Sequence, residues 1–177
     1  FDYPIHNHPE YELNLIAGMS GTRIVGDSTE RYTDFDLVLL GPYLYHKWDG
    51  DAQLQENGQA YRVITIQFSL ELFSGPLFQK ERFIKIRQLI RASSRGVKFH
   101  GKTFEEAMRL MVGLTEDKGF TNIIEFLQLL DLLSQSSDTT FFSASRICSC
   151  VTIRPPLEPV FRKSSDPPSP PAPWPLP

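Results

Sequence analysis

The first 70 residues carry short, strand-like runs. Tyr11, Leu13 and Leu15 alternate with Glu12 and Asn14, the period of two that places apolar side chains on one strand face. Thr22–Val25 is a second run, set off by Gly18 and Gly21 as a hairpin turn would be. Gly26-Asp27-Ser28 turns the chain into a strand near Glu30–Tyr32. Leu37–Leu40 is a compact apolar run ended by Gly41-Pro42, and His46–Trp48 resumes extended structure. Asp49–Gly58 reads as a polar loop, and Arg62–Phe68 alternates again. Several short strands with frequent turns predict an antiparallel sandwich or barrel.

The period then changes to that of a helix. Between Gln79 and Ala92, Phe83, Ile86, Leu89 and Ile90 recur at spacings of three and four. Thr103-Phe104-Glu105-Glu106 has the form of a capping box opening a helix to about Glu116. Asn122-Ile123-Ile124-Glu125 is a similar signal for a helix to about Ser136. That last helix is apolar on more than one face, so it calls for two partners, within its own fold or across a subunit interface.

Composition sharpens the domain picture. Ten of the 14 prolines lie between Pro155 and Pro177. Residues 1–70 are expected to form the β part, 71–140 a helical segment of the same domain, and 141–177 a Pro/Ser-rich tail that does not pack. A net charge of −3 argues against a broad nucleic-acid-binding face. The absence of an 18-residue apolar run argues against a membrane span, and a cytoplasmic location is the expectation. Cys148 and Cys150 suggest neither a disulfide framework nor a four-ligand zinc site. The chain begins at Phe1 rather than Met, so a preceding segment, including a first strand, is open.

Candidate chemistry concentrates in His6-Asn7-His8-Pro9-Glu10-Tyr11-Glu12. On a strand, His6, His8, Glu10 and Glu12 share one face, and His46 after the Gly-Pro turn could join them from another strand. Three histidines and a carboxylate further along that face suit a divalent first-row metal. The same spacing also suits solvated histidines, or histidines that bond a polar ligand without metal. Arg23, Trp48 and Gln67 extend the set of candidate ligand contacts. For Arg23 and Trp48 the alternatives are a solvated strand arginine and a ring filling the barrel mouth.

His6-x-His8-x-x-x-Glu12 resembles the first cupin motif, and Pro42-x-x-x-His46 a variant of the second, a resemblance that implies His6, His8, Glu12 and His46 as ligands of Zn, Ni, Mn or Fe. His8-Pro9-Glu10-Tyr11-Glu12-Leu13, Gly21-Thr22-Arg23, Gly26-Asp27, Asp36–Pro42 and His46-x-Trp48 together resemble the N-terminal sensor domain of AraC-type transcriptional regulators, over roughly residues 3–138. The resemblance implies a cupin-like jelly-roll β-barrel followed by two or three helices. It implies a small polar effector in the barrel, dimerisation through the 122–136 helix, and no catalysis. Phe35 stands where that family usually has Gly, and Tyr45 where it usually has Pro. DNA would be bound only through a C-terminal helix-turn-helix domain, for which this chain has no candidate. The composition change near residue 141 suggests a frameshift or a truncated gene; an uninterrupted reading frame on resequencing would contradict that. The alternatives are a metal-dependent cupin enzyme, such as a dioxygenase or isomerase, with Glu10 the nearest base, and a non-catalytic interaction module built on the Leu-rich helix.

Overall fold

A computed structural model describes residues 4–51 and 61–142. Eight strands and three α-helices follow in order: β1 (Tyr11–Ala17), β2 (Gly21–Val25), β3 (Ser28–Tyr32), β4 (Phe35–Leu40), β5 (His46–Gly50), β6 (Arg62–Phe68), α1 (Ile84–Ala92), β7 (Val97–Phe99), α2 (Gly101–Gly113), α3 (Phe120–Ser134) and β8 (Thr139–Phe141). The paired strands are antiparallel. They form a five-stranded sheet, β6-β1-β4-β7-β8, and a three-stranded sheet, β3-β2-β5. The fold is thus mixed α and β. The two sheets are not closed into a barrel, so the jelly-roll container of the sequence reading is not part of what the fold shows.

Pleat periodicity explains the layering. Tyr11, Leu13 and Leu15 of β1 and Leu37 and Leu39 of β4 belong to the core that the helices cover with Ile86, Leu89, Met111, Leu129 and Leu133. The intervening residues Ile16, Val38 and Leu40 pack instead against Val25, Tyr32 and Trp48 of the small sheet. The large sheet is therefore the middle of three layers. β1 and β4 are buried on both faces, which is why Leu37–Leu40 reads as an unbroken apolar run.

Several sequence-based boundaries are corrected. The helical segment 71–140 also contributes β7 and β8 to the large sheet, so the division at residue 70 does not separate strands from helices. The helix expected from Gln79 begins at Ile84, because Lys80 is extended (ψ 154°) and splits the approach into short 3-10 turns. Neither capping box forms. The Thr103 hydroxyl bonds that of Ser136 at 2.8 Å, and α2 starts earlier, at Gly101. Asn122 already lies inside α3. Its Oδ1 accepts from the Lys118 amide at 2.6 Å, and its Nδ2 donates to the Glu116 carbonyl at 2.8 Å, tying down the α2–α3 connection. β5 runs on through Asp49 and Gly50, where a loop is expected; the rest of that loop, and the tail with Cys148 and Cys150, lie outside the described residues. Among the described residues no helix is long and apolar enough to cross a membrane.

Candidate metal centre

The segment 6–12 is not one continuous strand. His6 pairs with His46 in an isolated antiparallel bridge on the free edge of β5. The His6 amide donates to the His46 carbonyl at 3.2 Å, and the His6 carbonyl accepts from the His46 amide at 2.9 Å. The chain then crosses to the large sheet, where β1 starts at Tyr11. Pro9, which has no amide hydrogen, lies in the crossing. The His8 carbonyl is held there by the Tyr43 amide at 2.8 Å. A shared strand face is thus the wrong reason for the convergence. The histidines meet because the segment bridges the two sheets at the edge of β5.

The three rings form a close group. Ring centroids are 4.3 Å apart for His6 and His46, 5.1 Å for His8 and His46, and 6.0 Å for His6 and His8. One ligand atom from each of these histidines lies within 4.8 Å of the other two. Glu12 stands at the edge of the group. Its Oε2 is 3.0 Å from His8 Nε2, and its Oε1 is 3.8 Å from His46 Nε2. Gln67, opposite Glu12 in the β1–β6 register, donates from Nε2 to Glu12 Oε2 at 3.0 Å. Glu10 is more exposed and places its carboxylate 3.4 Å from His8 Nδ1.

The nitrogen partners fix which atoms remain for a ligand. His46 Nδ1 is 2.7 Å from the Leu44 carbonyl, and His6 Nδ1 is 2.9 Å from the Pro4 carbonyl. A carbonyl only accepts, so Nδ1 carries the proton in both, and in the neutral ring Nε2 is the lone-pair atom. This is the arrangement in which histidines bind metal, with the second ring nitrogen donating to a backbone carbonyl. His46 is 2% exposed, and among the described residues its buried Nε2 has no hydrogen-bond partner; nor does the buried His8 Nδ1, which has only the Glu10 carboxylate at 3.4 Å. Buried polar atoms are normally satisfied, so the His46 Nε2 atom, beside two further imidazoles, fits a site built to take a ligand. The donor set fits a divalent first-row ion, held by His6, His8 and His46 with Glu12 in reach.

Burial holds the His46 imidazole below its ordinary value of 6.5, opposed by the Leu44 hydrogen bond and the Glu12 charge and assisted by His6 and His8. The ring is therefore neutral at pH 7, as a ligand must be.

Arg23 and Trp48 form a different site. They are neighbours across the β2–β5 register, and both are buried, at 0% and 4% exposure. Trp48 Nε1 donates to Asp36 Oδ2 at 2.8 Å, and Arg23 Nη1 donates to Asp36 Oδ1. Arg23 Nη2 donates to Glu30 at 2.7 Å. These bonds tie Asp36, Glu30, the Trp48 indole and both terminal nitrogens of Arg23 into an internal polar cluster, so the structure does not bring the polar atoms of Arg23 and Trp48 to the histidine group. Burial, followed by the charges of Asp36, Asp51 and Asp49, pushes the neighbouring Tyr32 hydroxyl up to about 12. Asp36 is missing from the sequence-based set, although a lone acid opening the apolar run Leu37–Leu40 was its signal. Asn14 and Thr65 are missing too. They join at 2.9 Å on the inner face and continue the polar strip from Glu12 and Gln67.

Phe35 opens β4 and Tyr45 directly precedes β5, both at the surface. Both are about half exposed, and strand alternation turns Tyr45 outward where His46 turns in. Comparison with known protein families and with curated proteins gives no match for this sequence.

The His46 shift has a consequence for the metal-free protein. Below about pH 6.5 the unfolded chain takes up a proton that the folded ring resists, so stability is full above that pH and falls as the pH drops. Thermal melts with chelator present are expected to show a lower midpoint at pH 5.5 than at pH 7.5. The difference is expected to shrink in His46→Gln; an equal difference in the variant contradicts this assignment.

Proposed function

We propose that this chain is a sensor domain that binds a small polar effector at the His6–His8–His46 cluster with the help of a divalent metal, and that it belongs to the AraC-type regulators its sequence resembles. The observation that carries the reading is the buried, unpartnered Nε2 of His46, aimed at two further imidazoles and a carboxylate. On this reading the two sheets are the walls of a cupin-type container. His6, His8 and His46 would hold the ion, with Glu12 balancing its charge. A bound ion would supply positive charge and open positions for an oxygen-bearing effector. The chain's own groups do the rest. Gln67 holds the Glu12 carboxylate in place, and Asn14 and Thr65 offer hydrogen-bonding atoms along the inner wall. Glu10 and the exposed Gln67 mark the solvent side, where an effector would enter.

Dimerisation belongs to the same proposal. α3 buries Leu129, Leu130 and Leu133 but leaves Phe120 (72% exposed), Ile123 and Ile124 in water. Its second apolar face is thus uncovered by its own fold, as a subunit contact would require. Effector binding changes the dimer only to the extent that it favours one arrangement over another.

Titration of chelator-treated protein with Zn²⁺ or Ni²⁺, followed by melts with a panel of sugars and hydroxy acids, tests the binding reading. One metal per chain is expected, with affinity at least about tenfold weaker in His46→Ala. A bound effector at 100 times its Kd stabilises by about 2.7 kcal/mol without being consumed. No response to any metal or polar ligand contradicts the sensor reading; turnover of a panel member favours the metal-dependent enzyme instead. For the dimer, sedimentation of Ile124→Glu is expected to give a monomer where the unaltered chain gives a dimer. A monomeric unaltered chain overturns the α3 contact.

A further inference from the structure

The polar cluster around Asp36 touches the histidine centre on one side and Phe142, just after β8, on the other. On the first side, the Trp48 ring packs edge-on against His46 with centroids 5.9 Å apart. Its Nε1–H is pinned to Asp36 Oδ2 at 2.8 Å. On the second side, Asp36 Oδ1 holds Arg23, whose guanidinium carbon lies 4.2 Å above the centre of the Phe142 ring. Asp36 Oδ1 is also 3.9 Å from Lys98 Nζ on β7, and β7 pairs with β8, the strand that leads into Phe142.

Phe142 is seated tightly. Its amide donates to the Gly96 carbonyl at 3.3 Å. Gly96 has φ +65°, and a Cβ there would come within 2.7 Å of both the Phe142 ring and Val25. The preceding residue, Phe141, lies under Arg95, with the guanidinium 4.3 Å from the ring centre. Two consecutive phenylalanines are thus each capped by an arginine at the last described residues of the domain.

We propose that Trp48, Asp36 and Arg23 form a buried strut through which occupancy of the histidine cluster tightens the hold on Phe142. The inference rests on the metal reading above. Closing three imidazoles on an ion moves or fixes His46, and close-packed interiors pass such displacements on rather than absorbing them. Trp48 cannot follow His46 without straining its bond to Asp36, and Asp36 cannot shift without moving Arg23, which lies against Phe142. A purely structural ion pair would satisfy Arg23 equally well but would leave Phe142 indifferent to the metal. Linkage supplies the distinguishing property. If metal tightens Phe142, then loosening Phe142 must weaken metal binding by the corresponding factor.

The test is amide exchange of the full chain with and without saturating Zn²⁺, with bound zinc measured in the same samples. Exchange across Thr139–Phe142 is expected to slow by about threefold or more when zinc binds. Trp48→Phe keeps a ring beside His46 but lacks the Nε1–H; it is expected to bind zinc and to lose most of that slowing. Phe142→Leu keeps apolar bulk but lacks the ring under Arg23, and its Zn²⁺ affinity is expected to fall by about threefold. Zinc bound without slower exchange at Thr139–Phe142, or full slowing in Trp48→Phe, overturns the strut while leaving the metal reading intact. Failure of the unaltered chain to bind zinc overturns both. If Trp48→Phe does not fold, Phe142→Leu decides, and an unchanged Zn²⁺ affinity there overturns the strut.

Discussion

The structure depends on β1 and β4 being covered on both faces. Their odd-numbered residues from Tyr11 to Leu15, with Leu37 and Leu39, feed the core under the helices. Their even-numbered residues must then enter the space between the two sheets, whatever their polarity. Glu12, Asn14 and Asp36 are all buried there, at 2–5% exposure. Burying carboxylates and an amide is costly unless each finds a partner. Much of the interior follows from meeting that requirement: Gln67 and His8 for Glu12, Thr65 for Asn14, Arg23 and Trp48 for Asp36.

The two polar clusters inside the sandwich meet it to different degrees. Around Asp36, both carboxylate oxygens accept bonds, from Arg23 and from Trp48, and only the Arg23 Nε is without a partner. Around Glu12, the carboxylate is held, but among the described residues the buried His46 Nε2 has no hydrogen-bond partner, and His8 Nδ1 has only the Glu10 carboxylate at 3.4 Å. The first cluster stitches the small sheet to the large one. The second has donor atoms in excess of what the protein itself uses, so it is the one with capacity for a ligand. Its position at the edge of β5, with Glu10 and Gln67 reaching solvent, gives that capacity a way in.

Much of this was legible in the sequence, and what was not has physical causes. Period-two alternation located β1 and β6, and the glycines marked the turns that set off the short run of β2, because these signals are local. Strands β7 and β8 were not visible: three residues each, they exist only through pairing with β4 and with one another. The capping boxes misled because Thr103 and Asn122 bond groups distant in sequence or in the preceding turn instead of their own helix ends. The candidate residues His6, His8, Glu12, His46 and Gln67 do come together, although through a crossing between sheets and not through a shared strand face. Arg23 and Trp48 are conspicuous in sequence for the same reason that they are unavailable here. Both are large polar side chains in a strand, and Asp36, an unremarked acid 12 or 13 positions away, engages them.

The central claim is that His6 and His46 carry a proton on Nδ1, where each meets a backbone carbonyl, and offer Nε2 to a ligand. Long-range ¹H–¹⁵N correlation spectra of the four histidines in metal-free protein at pH 7.5 test it most directly. The account predicts the Nδ1–H tautomer for both residues, with the Nε2 resonances of His6 and His46 displaced when Zn²⁺ is added. An Nε2–H tautomer or an imidazolium at His46, or Nε2 signals unmoved by the metal, would contradict it.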